Sequence, residues 1–219
     1  MTLTELAQIA QSVSVILASL FAIYGFDAWR REHIGKRRIE LAEETLALFY
    51  QAKDAIESIR NSFGFEGEGT TRVPGLNEKP EHKAALDQAY VLIERYNRHS
   101  ELFSRIHSLR YRVMAQLGVE AAQPFEALNR IVNELILSSH RMARLNTQRE
   151  RFNETEEAEK KRHRDYLEVM NIYYSGAEDD PISPKVQQVV EDIERTCRKI
   201  IESKGTLYAV INAKLRSHG

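Results

Sequence analysis

With 219 residues, 31 basic against 32 acidic side chains and a formal net charge of -1, the chain has no general electrostatic pull toward nucleic acid, and none is expected as a partner. A mean hydropathy of -0.46 excludes a multi-span membrane protein, and the length suits one membrane segment plus one soluble domain, since domains commonly run to ~100–200 residues. Ten glycines and five prolines are few, which favours helix over sheet, while the single Cys197 excludes an internal disulfide and fits a reducing compartment.

The first element is apolar. Leu6 to Phe26 contains no charged residue, and at ~1.5 Å per residue such a run of about 21 residues reaches ~31 Å, the thickness of a bilayer's hydrocarbon core. Tyr24 and Trp29 stand at its C-terminal edge, where amphipathic rings favour the membrane interface. A cleaved signal peptide would need a basic start and a small-residue cleavage site, and neither is present. Gln8, Gln11, Ser12 and Ser14 leave a rival reading, an amphipathic helix buried in a soluble protein. The leading expectation is a transmembrane anchor over residues 1–26.

Arg30, Arg31, Lys36, Arg37 and Arg38 follow the run and no Lys or Arg precedes it, so the N-terminus is expected outside and residues 27–219 in the cytoplasm. The same five cations suit anionic lipid headgroups at ~1 kcal/mol each, diluted by Asp27, Glu32 and Glu40. Ala10, Ser14, Ala18 and Ala22 recur every fourth residue, a strip of small side chains along which a second helix, as in a homodimer, would approach closely.

Beyond Gly35, the likeliest bend, a stalk to about Ser62 carries Leu41, Thr45, Leu48, Ala52, Ala55 and Ile59 at steps of four and three. Phe49 and Ile56 add a second row. Leu41, Leu48, Phe49, Ile56 and Ile59 therefore offer more apolar width than one neighbouring helix covers, and they are the expected partner face. Residues 63–80 hold four glycines and two prolines and read as a loop. Glu81–Leu117 reads as a second long helix with Leu86, Tyr90, Ile93, Tyr96, Phe103, Ile106 and Met114 toward the core, pairing with the stalk as an antiparallel hairpin.

Gly118 closes that helix and Pro124 opens a third, stepped on Phe125, Leu128, Val132, Leu135, Ser139 and Met142. Asn153 with Glu156 three residues later resembles a helix start, and Glu156–Lys160 and Glu157–Lys161 are favourable i,i+4 pairs on a solvated helix running to about Tyr174. Residues 175–183 are an acidic linker. Ser183 as cap and Pro184 in the first turn begin a further helix, ended by Gly205, with Val186, Val190, Ile193, Cys197 and Ile200 on one side. The apolar tail Thr206–Leu215 is too short to assign.

Few residues suggest chemistry. The GFEGEG loop at 64–69 does not suit phosphate, because it brings Glu66 and Glu68 rather than a lysine. His99, His107 and His140 fall on long helices, but no Glu is followed by a His three residues on, as a carboxylate-bridged metal bundle would require. The sequon at Asn153 has no use on a cytoplasmic side. Cys197, on an apolar seam, reads as a small buried hydrophobe. No catalytic residue, metal or cofactor is expected.

Trp29-Arg30-Arg31-Glu32, Gly35-Lys36-Arg37-Arg38 and Glu40-Leu41-Ala42-Glu43-Glu44, with a fainter likeness over Glu94–Gln116, resemble a group of uncharacterised bacterial single-pass membrane proteins with a helical cytoplasmic region. The resemblance implies a bacterial inner (cytoplasmic) membrane location and no particular activity. The expected architecture is all-α: an N-terminal transmembrane helix continuing into an elongated antiparallel helical bundle over residues 27–219. The expected role is a membrane-tethered scaffold or interaction module that meets the lipid bilayer and a protein partner or second copy. The alternative is a membrane-bound enzyme or effector whose site is assembled from the second and third helices.

Overall fold

The computed structural model describes residues 3–147 and 155–202, except the side chains of residues 3–10, 12, 27, 28 and 31. Ala10 and Arg31, the sequon at Asn153, Gly205 and the tail Thr206–Leu215 therefore lie wholly or in their side chains outside the described residues. Among those described, the fold is all-helical without strands. Its helices are α1 (Leu3–Ile59), α2 (Lys83–Arg98), α3 (Ser100–Leu117), α4 (Gln123–Thr147), α5 (Glu156–Tyr173) and α6 (Ser183–Glu202), with short 3-10 turns at Pro80–His82 and Val119–Ala122.

The chain divides into two compact units, residues 1–43 with 200–219, and residues 44–199. In the first, the described residues are chiefly the N-terminal part of α1. Nine large apolar side chains from Val13 to Phe26 are all about half exposed or more, Phe21 at 74%. Val15, Ile16 and Leu17 are consecutive, and at ~100° per residue they already spread over more than half of the helix circumference. Ser14, Ala18 and Ala22 are exposed as well. Among the described residues no helix is long and apolar enough to cross a membrane.

The second unit is built around the end of α1 and the residue that follows it, 44–60. Thr45, Leu46, Leu48, Phe49, Ala52, Ala55, Ile56, Ile59 and Arg60 are all buried. The Phe125 ring of α4 meets Phe49 edge-on at 4.8 Å, and Lys53 donates to Gln187 of α6 at 3.2 Å. Arg105 and Arg112 of α3 hold Glu44 at 2.8 and 3.3 Å. The expected partner face is corrected by this packing. Leu41, Leu48, Phe49, Ile56 and Ile59 are each no more than 2% exposed, so none is left over for association. The expectation assumed one neighbouring helix, whereas residues 44–60 have several.

The second predicted helix is also corrected: it breaks at His99 into α2 and α3. The His99 amide reaches back three residues to the Tyr96 carbonyl at 2.9 Å, and Ser100 Oγ donates to the Asn97 carbonyl at 2.7 Å. These local bonds compete with the helical ladder without any Gly or Pro to announce the break. The buried residues of α2 are Asp87, Ala89, Leu92 and Arg95, while Leu86, Tyr90, Ile93 and Tyr96 lie half-buried on either side. In α4 every residue of the expected stripe is buried, as are Val186, Val190, Ile193 and Cys197 of α6. Thr155 caps α5, its hydroxyl accepting from the Ala158 amide at 3.4 Å. Asp180 rather than Ser183 serves the start of α6, its carboxylate accepting from the Ile182 and Ser183 amides at 2.8 and 3.3 Å.

Candidate functional site

Three places in the residue 44–199 unit gather polar chemistry. At the end of α1, Arg60 is 1% exposed and fully engaged. It donates to the carbonyls of Ile172, Asn171 and Tyr174 at 2.9, 2.9 and 2.7 Å and to both oxygens of Asp180 at 2.7 and 3.0 Å. Its own carbonyl accepts the Ser175 amide at 2.8 Å. A buried guanidinium is tolerable only when its donors are satisfied, as they are here. Burial works against the Asp180 carboxylate, but Arg60 and the Ser183 hydroxyl hold it down to about 2. The arrangement is a latch between α1 and the α5–α6 connection, with no donor left for a ligand.

The second place is the glycine-rich loop after α1. Glu68 is 6% exposed and paired with Arg95 Nη2 at 2.5 Å and Nε at 3.1 Å, with Arg98 at 3.2 Å. The Arg95 hydrogen bonds outweigh burial and hold the Glu68 carboxyl at about 2. Arg95 also binds the carbonyls of Asn61 and Phe63 at 2.5 and 2.8 Å. Glu94 accepts from the Gly69 amide and the Thr71 hydroxyl, both at 2.8 Å. Arg72 closes the far side with a two-pronged pair to Glu78, both bonds 2.6 Å, and a contact to Asp87 at 2.9 Å. Gly69 has φ +84°, and a Cβ there would stand 2.0 Å from the Asp87 carbonyl oxygen, so only glycine fits. Read from the sequence only as a loop, this segment is pinned on both sides, and it displays Phe63, Phe65, Val73 and Leu76 at 77–105% exposure.

The third place is a cleft of about 370 Å³ between α3 and α4. Phe103, Ile106, Phe125, Leu128 and Val132 make its apolar floor, and Tyr96, Ser104, His107, Arg110 and Asn129 its polar side. Arg110 Nη2 stands 3.3 Å from Glu126, and its guanidinium carbon lies 5.7 Å from the Tyr111 ring centre. Its Nε is buried without a hydrogen-bond partner among the described residues.

Elsewhere, the Tyr173 hydroxyl sits in the α2 ladder, donating to the Gln88 carbonyl at 3.0 Å and accepting from the Leu92 amide at 3.1 Å. Burial pushes that phenol well above its ordinary range. Cys197 is fully buried and its thiol is pushed up to about 11 by burial, so it is a poor nucleophile. His107 lines the cleft, His140 is exposed on α4 and His99 marks the α2–α3 break. Among the described residues, no three His, Cys, Asp or Glu side chains form a group that would hold a metal ion.

Arg30, Lys36, Arg37 and Arg38 are exposed on α1, with Lys36 3.9 Å from Glu40. Trp29 is exposed too, its ring 5.8 Å from Phe26 and stacked on His33 at 5.5 Å. Sequence reasoning missed Arg60, Arg95 and Arg110. The available signal was weak: an arginine on the apolar stripe of a helix, as Arg60 follows Ile59 and Arg95 continues the step from Leu92. Compared with family models, curated proteins and solved structures, the chain matches none.

Proposed function

We propose that the chain is a membrane-tethered helical module that works by contact with a partner rather than by catalysis. The observation that carries the reading is the all-round exposure of apolar residues from Val13 to Phe26. A helix apolar on every side belongs in a protein core or in lipid, and these side chains are about half exposed or more. Transfer of a large apolar side chain from water is worth ~1.5–3 kcal/mol, so nine of them favour the bilayer by on the order of 10 kcal/mol. The exposed Arg30, Lys36, Arg37 and Arg38 after the run, with Arg31 beside them in sequence, suit the cytoplasmic headgroup layer of a bacterial inner membrane. The pinned loop supports the contact role: four large apolar side chains stand in water on a backbone whose shape is fixed by ion pairs, which lowers the entropy lost on docking.

A second reading, a membrane-bound enzyme or effector, draws on the α3–α4 cleft, which Tyr96, His107 and Arg110 line. It is the weaker one, because Ser104, His107 and Ser108 are exposed and water reaches the polar side freely.

Alkaline carbonate washing tests the tether: the protein is expected to stay in the membrane pellet and to leave it only with detergent. Release of most of it by carbonate overturns the tether. For orientation, a cysteine placed at Ser217 in a Cys197→Ala background should react with impermeant maleimide only after lysis, and labelling in intact cells reverses the topology.

A further inference from the structure

We infer that the cleft between α3 and α4 binds a small carboxylic acid with an apolar body, a site that does not depend on the membrane tether. Its volume of about 370 Å³ lies within the ~300–1,000 Å³ usual for small-molecule sites. Like those sites, it combines an apolar floor with a few polar groups at one edge. The floor is firm, since Phe103, Ile106, Phe125, Leu128 and Val132 are all buried and Phe125 is held edge-on by Phe49.

Arg110 decides the chemistry. Among the described residues lining the cleft it bears the one permanent charge, so a monoanion is the complement. Glu126 and the Tyr111 ring keep the guanidinium in place, while the Nε–H stays buried and unpaired. The Arg110 side chain is 27% exposed, and an arginine N–H can only donate, so an acceptor is what it suits. A carboxylate oxygen supplies it with a charge-assisted bond. A neutral apolar molecule would leave that donor unsatisfied, and a phosphate dianion would face one arginine already shared with Glu126. Asn129 and Ser104 line the same cleft and supply further donors.

The test uses the full chain in nanodiscs of zwitterionic lipid and the photoreactive acid 4-benzoylbenzoate. Labelling should map to the segments Phe103–Arg110 and Phe125–Val132. It should be suppressed by 4-phenylbutyrate at concentrations where 4-phenylbutanamide leaves it unchanged. Arg110→Gln should lower labelling at least tenfold while preserving the thermal melt. Ser104→Trp, which fills the open rim from an exposed position, should lower it similarly and decides the matter if the Arg110 variant unfolds. Equal competition by acid and amide, undiminished labelling in a folded Arg110→Gln or Ser104→Trp protein, or label spread without preference would each overturn the site.

Discussion

Residues 13–26 and 44–59 both belong to α1 and both carry large apolar side chains, yet the first set stands in the open and the second is covered. The difference is visible in what surrounds the apolar residues. Between residues 44 and 60 they alternate with a solvent face that exposes Tyr50, Gln51, Asp54 and Glu57. Residues 13–26 have no charged face at all. A helix with one polar side can rest on other helices and keep water on its back. One that lacks such a side has no direction in which to face water.

The largest effects should come from the covered stretch. Arg60→Ala leaves Asp180 and three carbonyls of the latch without their cation, and breaking one partner of a buried pair typically costs ~3–5 kcal/mol. Phe49→Ala removes a ring that is 1% exposed and should cost about the same, ~3–5 kcal/mol. Both are read from denaturant unfolding of the full chain followed by circular dichroism. A loss below about 1 kcal/mol in either would mean that residues 44–60 are not the centre of the folded unit.

Next in size is Gly69→Ala, which meets the Asp87 carbonyl and holds alanine at a positive φ. A cost of ~2–3 kcal/mol is expected, with proteolytic cleavage inside residues 63–80 rising before global unfolding. Stability unchanged by this substitution would show that the loop does not lie against α2.

Acid should loosen the same loop. The folded Glu68 and Glu78 carboxyls sit at about 2, below their ordinary value of 4.5, because Arg95 and Arg72 stabilise the ionised forms. Their contribution is therefore complete above pH 4.5 and disappears as pH falls toward 2. The hydrogen-exchange protection of the Gly69 amide, bound to Glu94, should fall across that window. Protection constant down to pH 2 would contradict the ion-pair account of the loop.

The smallest expected effect completes the contrast. Phe21→Ala should shift unfolding of the residue 44–199 unit by no more than ~0.5 kcal/mol, because the ring is 74% exposed. The same Phe→Ala change would thus cost severalfold more at position 49 than at 21, and equal costs would erase the distinction between the two stretches.

The helices themselves were legible because an apolar stripe at 3.6-residue spacing needs no knowledge of its neighbour. The seams on α4 and α6 and the Leu41–Ile59 seam could be placed from spacing alone. The break at His99 was not legible, since it rests on backbone bonds at Tyr96 and Asn97 that leave no proline or glycine mark. Nor was the fate of the α1 surplus, which depended on how many helices gather around residues 44–60.

From the sequence alone came the all-helical class, the uncharged N-terminal run with its basic flank, and the apolar face of each long helix. These are local properties, written in side-chain type and period. Tertiary structure alone decided the placement of charge. Arg60 is 120 positions from Asp180 in sequence, and Arg95 is 27 from Glu68. Tyr173 enters the α2 ladder from 81 residues beyond Leu92. A charged or hydroxyl group can be buried only where its partner arrives, and the partner's arrival is set by the packing of the whole unit rather than by the residues beside it.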